Sequence, residues 1–286
     1  MSVSLDQGQV AAALAKACRM DVVAFKPGNV SLWSAGHGMA ASDFLRSAEV
    51  AVPCLSAPTA SIGARIESAV AATIATVGCN TNLGIVLLLA PLARAAQDLA
   101  QGDLRVRLAR RLRALDAADA AACYRAICVA GPAGLGEVRE GDVRTPPAMG
   151  LRDAMQLASV RDRIAAAYVS DYAEIFEVGV PLLVAARQRW RSLAWASTAC
   201  YLHLLARAPD THIERKWGNT LAMEVSTRAR AVESTLKACE NPRAAVAHLR
   251  DFDDELKARG VNPGTSADLT VACVAVLLLQ SRLAGQ

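Results

Sequence analysis

Apolar residues recur three and four positions apart along most of the chain, the spacing that stacks side chains on one face of an α-helix. The pattern predicts helices at about residues 5–24, 41–56, 59–77, 82–101 and 103–128, and again at about 154–177, 179–207, 219–240, 242–259 and 266–284. Branched apolar residues seldom alternate with polar ones, so no strand pattern competes. Between the two sets, residues 131–153 (GPAGLGEVREGDVRTPPAMGLRD) concentrate glycine and proline and cannot form one regular element. That stretch is expected either to link or to fold as a loop over a site. No fixed-period repeat suggests a solenoid. The expected architecture is all-α, a single compact domain of about ten helices spanning residues 1–286.

Composition supports this picture. The chain is 53% hydrophobic but only 4% aromatic, enough apolar surface for a sizeable core, and its alanine bias favours helix. The greasiest run, LTVACVAVLLL at 269–279, lies between Asp268 and the polar trio Gln280, Ser281 and Arg282. It is shorter than the roughly 20 residues a membrane span needs and reads as a core helix. A net charge of +4, from 31 basic and 27 acidic residues, is too balanced for a nucleic-acid binder. The one local excess, LRVRLARRLR at 104–113, lacks interleaved aromatics, so Arg107, Arg110 and Arg111 are expected on a solvated face. Eight cysteines form no CxxC pair and read as buried, reduced thiols. With no basic-then-apolar pattern in MSVSLDQGQV, a cytoplasmic location is expected.

Four polar islands interrupt this background. In the first, FKPGNVSLWSAGHGMAASDF, Lys26, Pro27, Gly28 and Asn29 spell a tight turn able to present Lys26, His37 and Asp43 to a common space; an inter-helical loop with Ser42 or Asp43 as cap explains it equally. The second is GCNTNLG, in which Asn80, Thr81 and Asn82 stand at the mouth of a greasy helix and Gly84 leaves room for a phosphate on the free amides; Glu67 sits on the preceding helix. Capping accounts for one such polar residue better than for three. The third, PDTHIERKWGN, gathers Asp210, His212, Glu214, Arg215 and Lys216. If helical, it puts Asp210 and Glu214 on one face, suited to a divalent cation, with Arg215 and Lys216 free for phosphates; the alternative is an ion-paired turn. In the fourth, GVNPGTSADL, Gly264, Thr265 and Ser266 open another greasy helix with Asp268 in its first turn, as a cap or a second anion-binding mouth.

Taken in order, KPGNVS, GCNTNLGIVLLLAPL, DTHIERKWG and NPGTSADL resemble the triphosphoribosyl-dephospho-CoA synthase family, whose members serve citrate lyase and malonate decarboxylase; the likeness runs from about 21 to 278. The resemblance implies an all-helical enzyme that joins the ribose C1 of ATP to the 2′-hydroxyl of 3′-dephospho-CoA and releases adenine. Glycosyl transfer of this kind needs carboxylates near C1 or the attacking hydroxyl and donors around the triphosphate. Asp43, Glu67, Asp210 and Asp268 are the candidates for base or metal roles, with Glu67, Asp210 and Asp268 as Mg2+ ligands. Lys26, Gly28, Asn29, His37, Asn80, Thr81, Asn82, Gly84, His212, Arg215, Lys216, Gly264, Thr265 and Ser266 are the candidates for substrate and phosphate. Expected partners are small molecules, ATP and 3′-dephospho-CoA or a related acceptor, with no nucleic acid or membrane and with room for a homodimer.

Departures from the pattern bear on the acceptor. Members that serve citrate lyase usually read Leu-Val-Asp where this chain has Asn29, Val30 and Ser31, carry histidine and lysine in place of Asn82 and Leu83, and have Arg-Gly-Gly where this chain has Arg215, Lys216, Trp217 and Gly218. These differences resemble the divergent branch of archaea and methylotrophic bacteria. They leave open an acceptor in tetrahydromethanopterin-linked one-carbon cofactor synthesis, or a non-catalytic nucleotide-binding protein. Asn80→Ala and Asp268→Ala are expected to weaken ATP binding by more than they lower stability, measured as Kd and Tm on the same samples. Equal losses would leave capping as their whole role.

Overall fold

Side-chain N-caps set where half of the α-helices among the described residues begin. The computed structural model describes residues 4–99, 101–132, 136 and 141–285. Among them the first half of the chain forms α1 (Gln7–Val23), α2 (Ala41–Leu55), α3 (Ile62–Val77), α4 (Leu83–Ala96), α5 (Leu104–Arg113) and α6 (Ala117–Ala130). The second half forms α7 (Leu151–Ala158), α8 (Arg163–Val169), α9 (Val180–Trp190), α10 (Leu193–Arg207), α11 (Thr211–Trp217), α12 (Asn219–Ala238), α13 (Val246–Ala258) and α14 (Gly264–Leu283). A π-helical segment, Glu174–Gly179, leads into α9, and a 3-10 turn, Pro242–Ala245, into α13. The described residues contain no strand, only isolated bridges between Ser31 and Ser34 and between Gly36 and Met39.

The all-α expectation holds, but the described residues form fourteen α-helices where about ten were expected. The predicted helix over 103–128 is cut at Asp116, whose carboxylate accepts the Asp119 amide and starts α6. That over 154–177 is cut at Asp162, which caps the amides of Ile164 and Ala165. The one over 179–207 is cut where Arg191 turns left-handed and Ser192 caps α10. Helices on both sides of each break bury their apolar faces in the same cluster, so the periodicity runs through the interruption.

The centre of that cluster is α4 against α14. Positions 85–93 of α4 and 269–276 of α14 are buried without a break, as expected of helices that are apolar all round. At 20 residues α14 is long and apolar enough to cross a membrane by length and composition; here α1, α4, α9 and α10 pack around it. A second cluster gathers α12 and α13 around the other face of α10, through Leu202, Leu205, Val225, Val232 and Phe252. Arg107 departs from its expected solvated position: it is buried, donating to the carbonyls of Gly102 (2.8 Å) and Asp98 (3.0 Å). The cysteines are all free thiols, although Cys79 and Cys128 are exposed.

Pro91 lies inside α4 and has no N–H for the carbonyl of Leu87, four residues back. The Tyr168 hydroxyl of α8 donates to that carbonyl at 2.6 Å, and Tyr172 donates to Leu88 at 3.1 Å. Both tyrosines are fully buried. Tyr168→Phe is expected to cost about 1–3 kcal/mol by stranding a buried acceptor. Adding Pro91→Ala should recover part of the loss, because an alanine amide can close the helical bond. Denaturant unfolding of the two variants and the wild type checks this.

Candidate active site

Three small polar residues precede α4, and each does something different. The Asn80 side chain accepts the Leu83 amide (3.1 Å), Thr81 shares a hydroxyl contact with Ser47 (2.6 Å), and Asn82, the N-cap by position, makes no side-chain capping bond. The amides of Gly84 and Ile85 therefore find no acceptor among the described residues, which leaves the positive end of the α4 dipole open. Gly84 is required here: a Cβ would stand 2.0 Å from Asp268 Oδ2 and 2.7 Å from Ile164 Cδ1. The mouths of α4 and α14 thus meet.

Asp210 organises the second mouth. One of its oxygens caps the amides of His212 (3.0 Å) and Ile213 (3.2 Å), and the other accepts the Ser266 amide of α14 (2.7 Å). Arg163 braces the same joint, contacting Ser266 Oγ (3.3 Å), Glu174 (2.8 Å) and the Leu204 carbonyl (3.1 Å). His212 is brought against Gly264, where a Cβ would lie 3.0 Å from its Nδ1. Arg215 pairs with Asp162 at 3.0 Å.

The Lys26 turn closes the ring. Gly28, at φ 81°, packs so tightly that a Cβ would stand 2.7 Å from Leu256 and 2.8 Å from Pro263, and its amide donates to Asp253 (2.7 Å). The His37 Nε2–H donates to the Gly28 carbonyl (2.8 Å). Asn29 reaches Asn262 at 2.6 Å, fastening the first island to the fourth. Lys26 itself is buried, ion-paired to Asp21 and donating to Asn29 at 3.2 Å.

These segments enclose a cavity of about 620 Å³. Its polar side carries Asn29, His37, Asn80, Thr81, Asn82 and Gly84 from the first two islands, and His212, Arg215, Lys216, Gly264, Thr265 and Asp268 from the other two. The lining also has an apolar part, Leu87, Ile127, Leu151, Met155, Leu157 and Ile164, and Ile164 adjoins Gly84 directly. Of the 131–153 stretch, Gly131, Pro132, Gly136, Gly141, Asp142 and Val143 border the cavity, while 133–135 and 137–140 lie outside the described residues. Asp268 accepts no hydrogen bond from the described residues. Burial, with the negative charge of Asp21 next in weight, pushes its carboxyl well above the usual range; Lys26 opposes this, and Asp210 and Asp162 add to it. Burial likewise lowers the His212 pKa against the pull of Asp210, and Arg215, Lys216 and His37 lower it further. Both shifts favour the neutral forms of these side chains.

Six expected site residues do not border it. Lys26 is spent on Asp21 behind the wall, Gly28 supports the turn, and Ser266 is buried under α14. Asp43 closes the first turn of α2 by accepting the Ala40 amide (2.8 Å). Glu67 makes a two-pronged ion pair with Arg125 (2.6 and 2.7 Å) on the outer face of α3 and α6. Asp210 has both oxygens engaged, and as the N-cap of α11 it shares no helical face with Glu214. The metal set Glu67, Asp210 and Asp268 is therefore not assembled, and among the described residues no three His, Cys, Asp or Glu side chains gather to hold a metal ion. Conversely, Asp21, Tyr124, Arg161, Asp162 and Asn262 border the cavity. Asp162 carried a legible signal, a cap-forming aspartate ahead of an apolar run; Asp21 and Tyr124 lie inside helical patterns and carried none.

The family model for ATP:dephospho-CoA triphosphoribosyl transferase (CitG) matches residues 7–285. The 2-(5″-triphosphoribosyl)-3′-dephosphocoenzyme-A synthase of Haemophilus ducreyi is 35% identical over 78 residues, 27% of this chain and 24% of that protein, so the match spans about a quarter of the relative's length. A crystal structure from Archaeoglobus fulgidus, described as a candidate triphosphoribosyl-dephospho-CoA synthase, superposes with a TM-score of 0.65 over 82% of this chain and 98% of the other, at 24% identity. At that identity the likeness speaks for the fold.

The raised carboxyl makes a signed prediction. Below the unfolded-chain aspartate pKa of about 3.9 both states hold the proton; above it the unfolded chain ionises while folded Asp268 stays neutral, so stability is lost as pH rises toward the folded pKa. Asp268→Asn removes that cost. Its Tm is expected to exceed the wild type's at pH 7–8, with the gap narrowing toward pH 4. A variant less stable than wild type at pH 7 would mean that Asp268 is held ionised.

Proposed function

The chain belongs to the ATP:dephospho-CoA triphosphoribosyl transferase family, and from that membership and the cavity we propose that it transfers the triphosphoribosyl group of ATP to 3′-dephospho-CoA with release of adenine. The observation that carries this reading is the convergence of all four polar islands on one chamber whose lining also includes apolar side chains. Open amides and cations suit a polyphosphate. The apolar side chains suit a purine, and the volume lies within the range that encloses a single ligand of this size.

In the proposed reaction the bond from ribose C1 to adenine N9 breaks as the acceptor's 2′-hydroxyl oxygen bonds to C1. The electron pair of the broken bond leaves with adenine, which needs a proton; the attacking hydroxyl must lose one. Asp268, neutral beside Gly84, is the proposed donor to the departing purine, and neutral His212 the proposed acceptor of the hydroxyl proton. The two groups then reset by exchange with solvent. Asn80, Thr81 and the amides of Gly84 and Ile85 are proposed to hold the triphosphate, with Arg161, Arg215 and Lys216 neutralising it. Among the described residues no three metal-binding side chains gather, so magnesium is proposed to arrive as the counter-ion of the triphosphate, and no step is assigned to it.

Adenine release from ATP, followed by chromatography with and without 3′-dephospho-CoA in magnesium buffer, tests the proposal. Release is expected to depend on the acceptor and to fall at least about a hundredfold in Asp268→Asn. ATP that raises the Tm without any release would sink the dephospho-CoA reaction and direct attention to one-carbon cofactor precursors as acceptors.

A further inference from the structure

We infer that Trp217 forms a second base-stacking subsite at the rim of the cavity, for the adenine of the acceptor nucleotide; the inference rests on the proposed transfer between two nucleotides. Trp217 is 47% exposed and belongs to neither apolar cluster, so about half of the residue faces solvent. It closes α11 immediately after Glu214, Arg215 and Lys216, all of which border the cavity. On its other side, a Cβ at Gly260 would lie 3.8 Å from the indole, just ahead of Asn262 and Gly264, which border the cavity too. The ring therefore stands beside the end of one lining segment and near the start of another. The Lys216 ammonium lies 5.3 Å from the ring centroid and pairs with no carboxylate among the described residues. An exposed indole with an unpaired cation beside it recognises a purine by its face and a phosphate by its charge.

Space points the same way. About 620 Å³ encloses one nucleotide-sized ligand, whereas the transfer brings two together. The acceptor's nucleophilic hydroxyl is on the ribose carbon adjacent to the one that carries its adenine. Its base must then lie just outside the reacting centre while its long pantetheine arm runs toward solvent. Trp217 directly follows the lining residues Glu214, Arg215 and Lys216, and its ring approaches Gly260, two residues ahead of the lining residue Asn262.

The test measures 3′-dephospho-CoA binding by calorimetry in the full chain, in Trp217→Ala and in Trp217→Phe, alongside adenine-release kinetics. Trp217→Ala is expected to weaken dephospho-CoA binding about tenfold or more and to raise its KM by a similar factor, with the KM for ATP within about twofold of wild type. Trp217→Phe should stay close to wild type. Binding of 4′-phosphopantetheine, which has no adenosine, should not respond to either change. Unaltered dephospho-CoA binding in Trp217→Ala, or an equal loss for ATP, would overturn the subsite. If the wild type releases no adenine yet dephospho-CoA binding still depends on Trp217, the transfer reaction falls and the subsite stands. Acceptor-dependent adenine release with Trp217-independent binding would leave the reaction standing and remove the subsite.

Discussion

One buried carboxylate joins the first turns of two helices, and most of the site hangs from that joint. Asp210 serves the amides of His212, Ile213 and Ser266 at once and is fully buried. Three backbone donors that would otherwise be stranded are satisfied by a single side chain. The joint sets His212 beside Gly264, turns Arg215 toward Asp162 and aims the mouth of α14 at that of α4. The same economy keeps Asp210 buried behind the cavity lining, with both oxygens engaged in holding the joint.

Around this joint the chain leaves some groups unsatisfied. The amides of Gly84 and Ile85 have no acceptor among the described residues, and Asp268 has no donor, although the mouths that carry them meet. Polar groups enclosed in this way cost stability, and they concentrate where the mouths of α4 and α14 meet. A ligand with a phosphate end and a flat ring would meet both the polar and the apolar parts of the lining.

Much of this could be read in advance, and the failures have a common cause. The islands stood out because glycine, proline and small polar residues break an alanine-rich background, and twelve of the residues they nominated border one cavity. Chain order does not reveal which oxygen atoms are already occupied. Lys26, Asp43, Glu67 and Asp210 all have the right chemistry, yet Asp21, the Ala40 amide, Arg125 and two helix mouths claim them first. The helices outnumber the expectation for a related reason: Asp116, Asp162 and Ser192 restart them without disturbing the apolar stripe.

The short helix α8 links the apolar and polar parts of the lining. Near one end, Tyr168 grips the Leu87 carbonyl that Pro91 leaves open, and Leu87 belongs to the apolar part. At the other end, Asp162 holds Arg215 on the polar side. Six residues of helical rise span roughly 9 Å, so α8 acts as a calliper whose jaws are set by two hydrogen-bonded grips. Both grips hold α8, and with it the lining residues Ile164 and Ala165, at a fixed setting against α4 and α11.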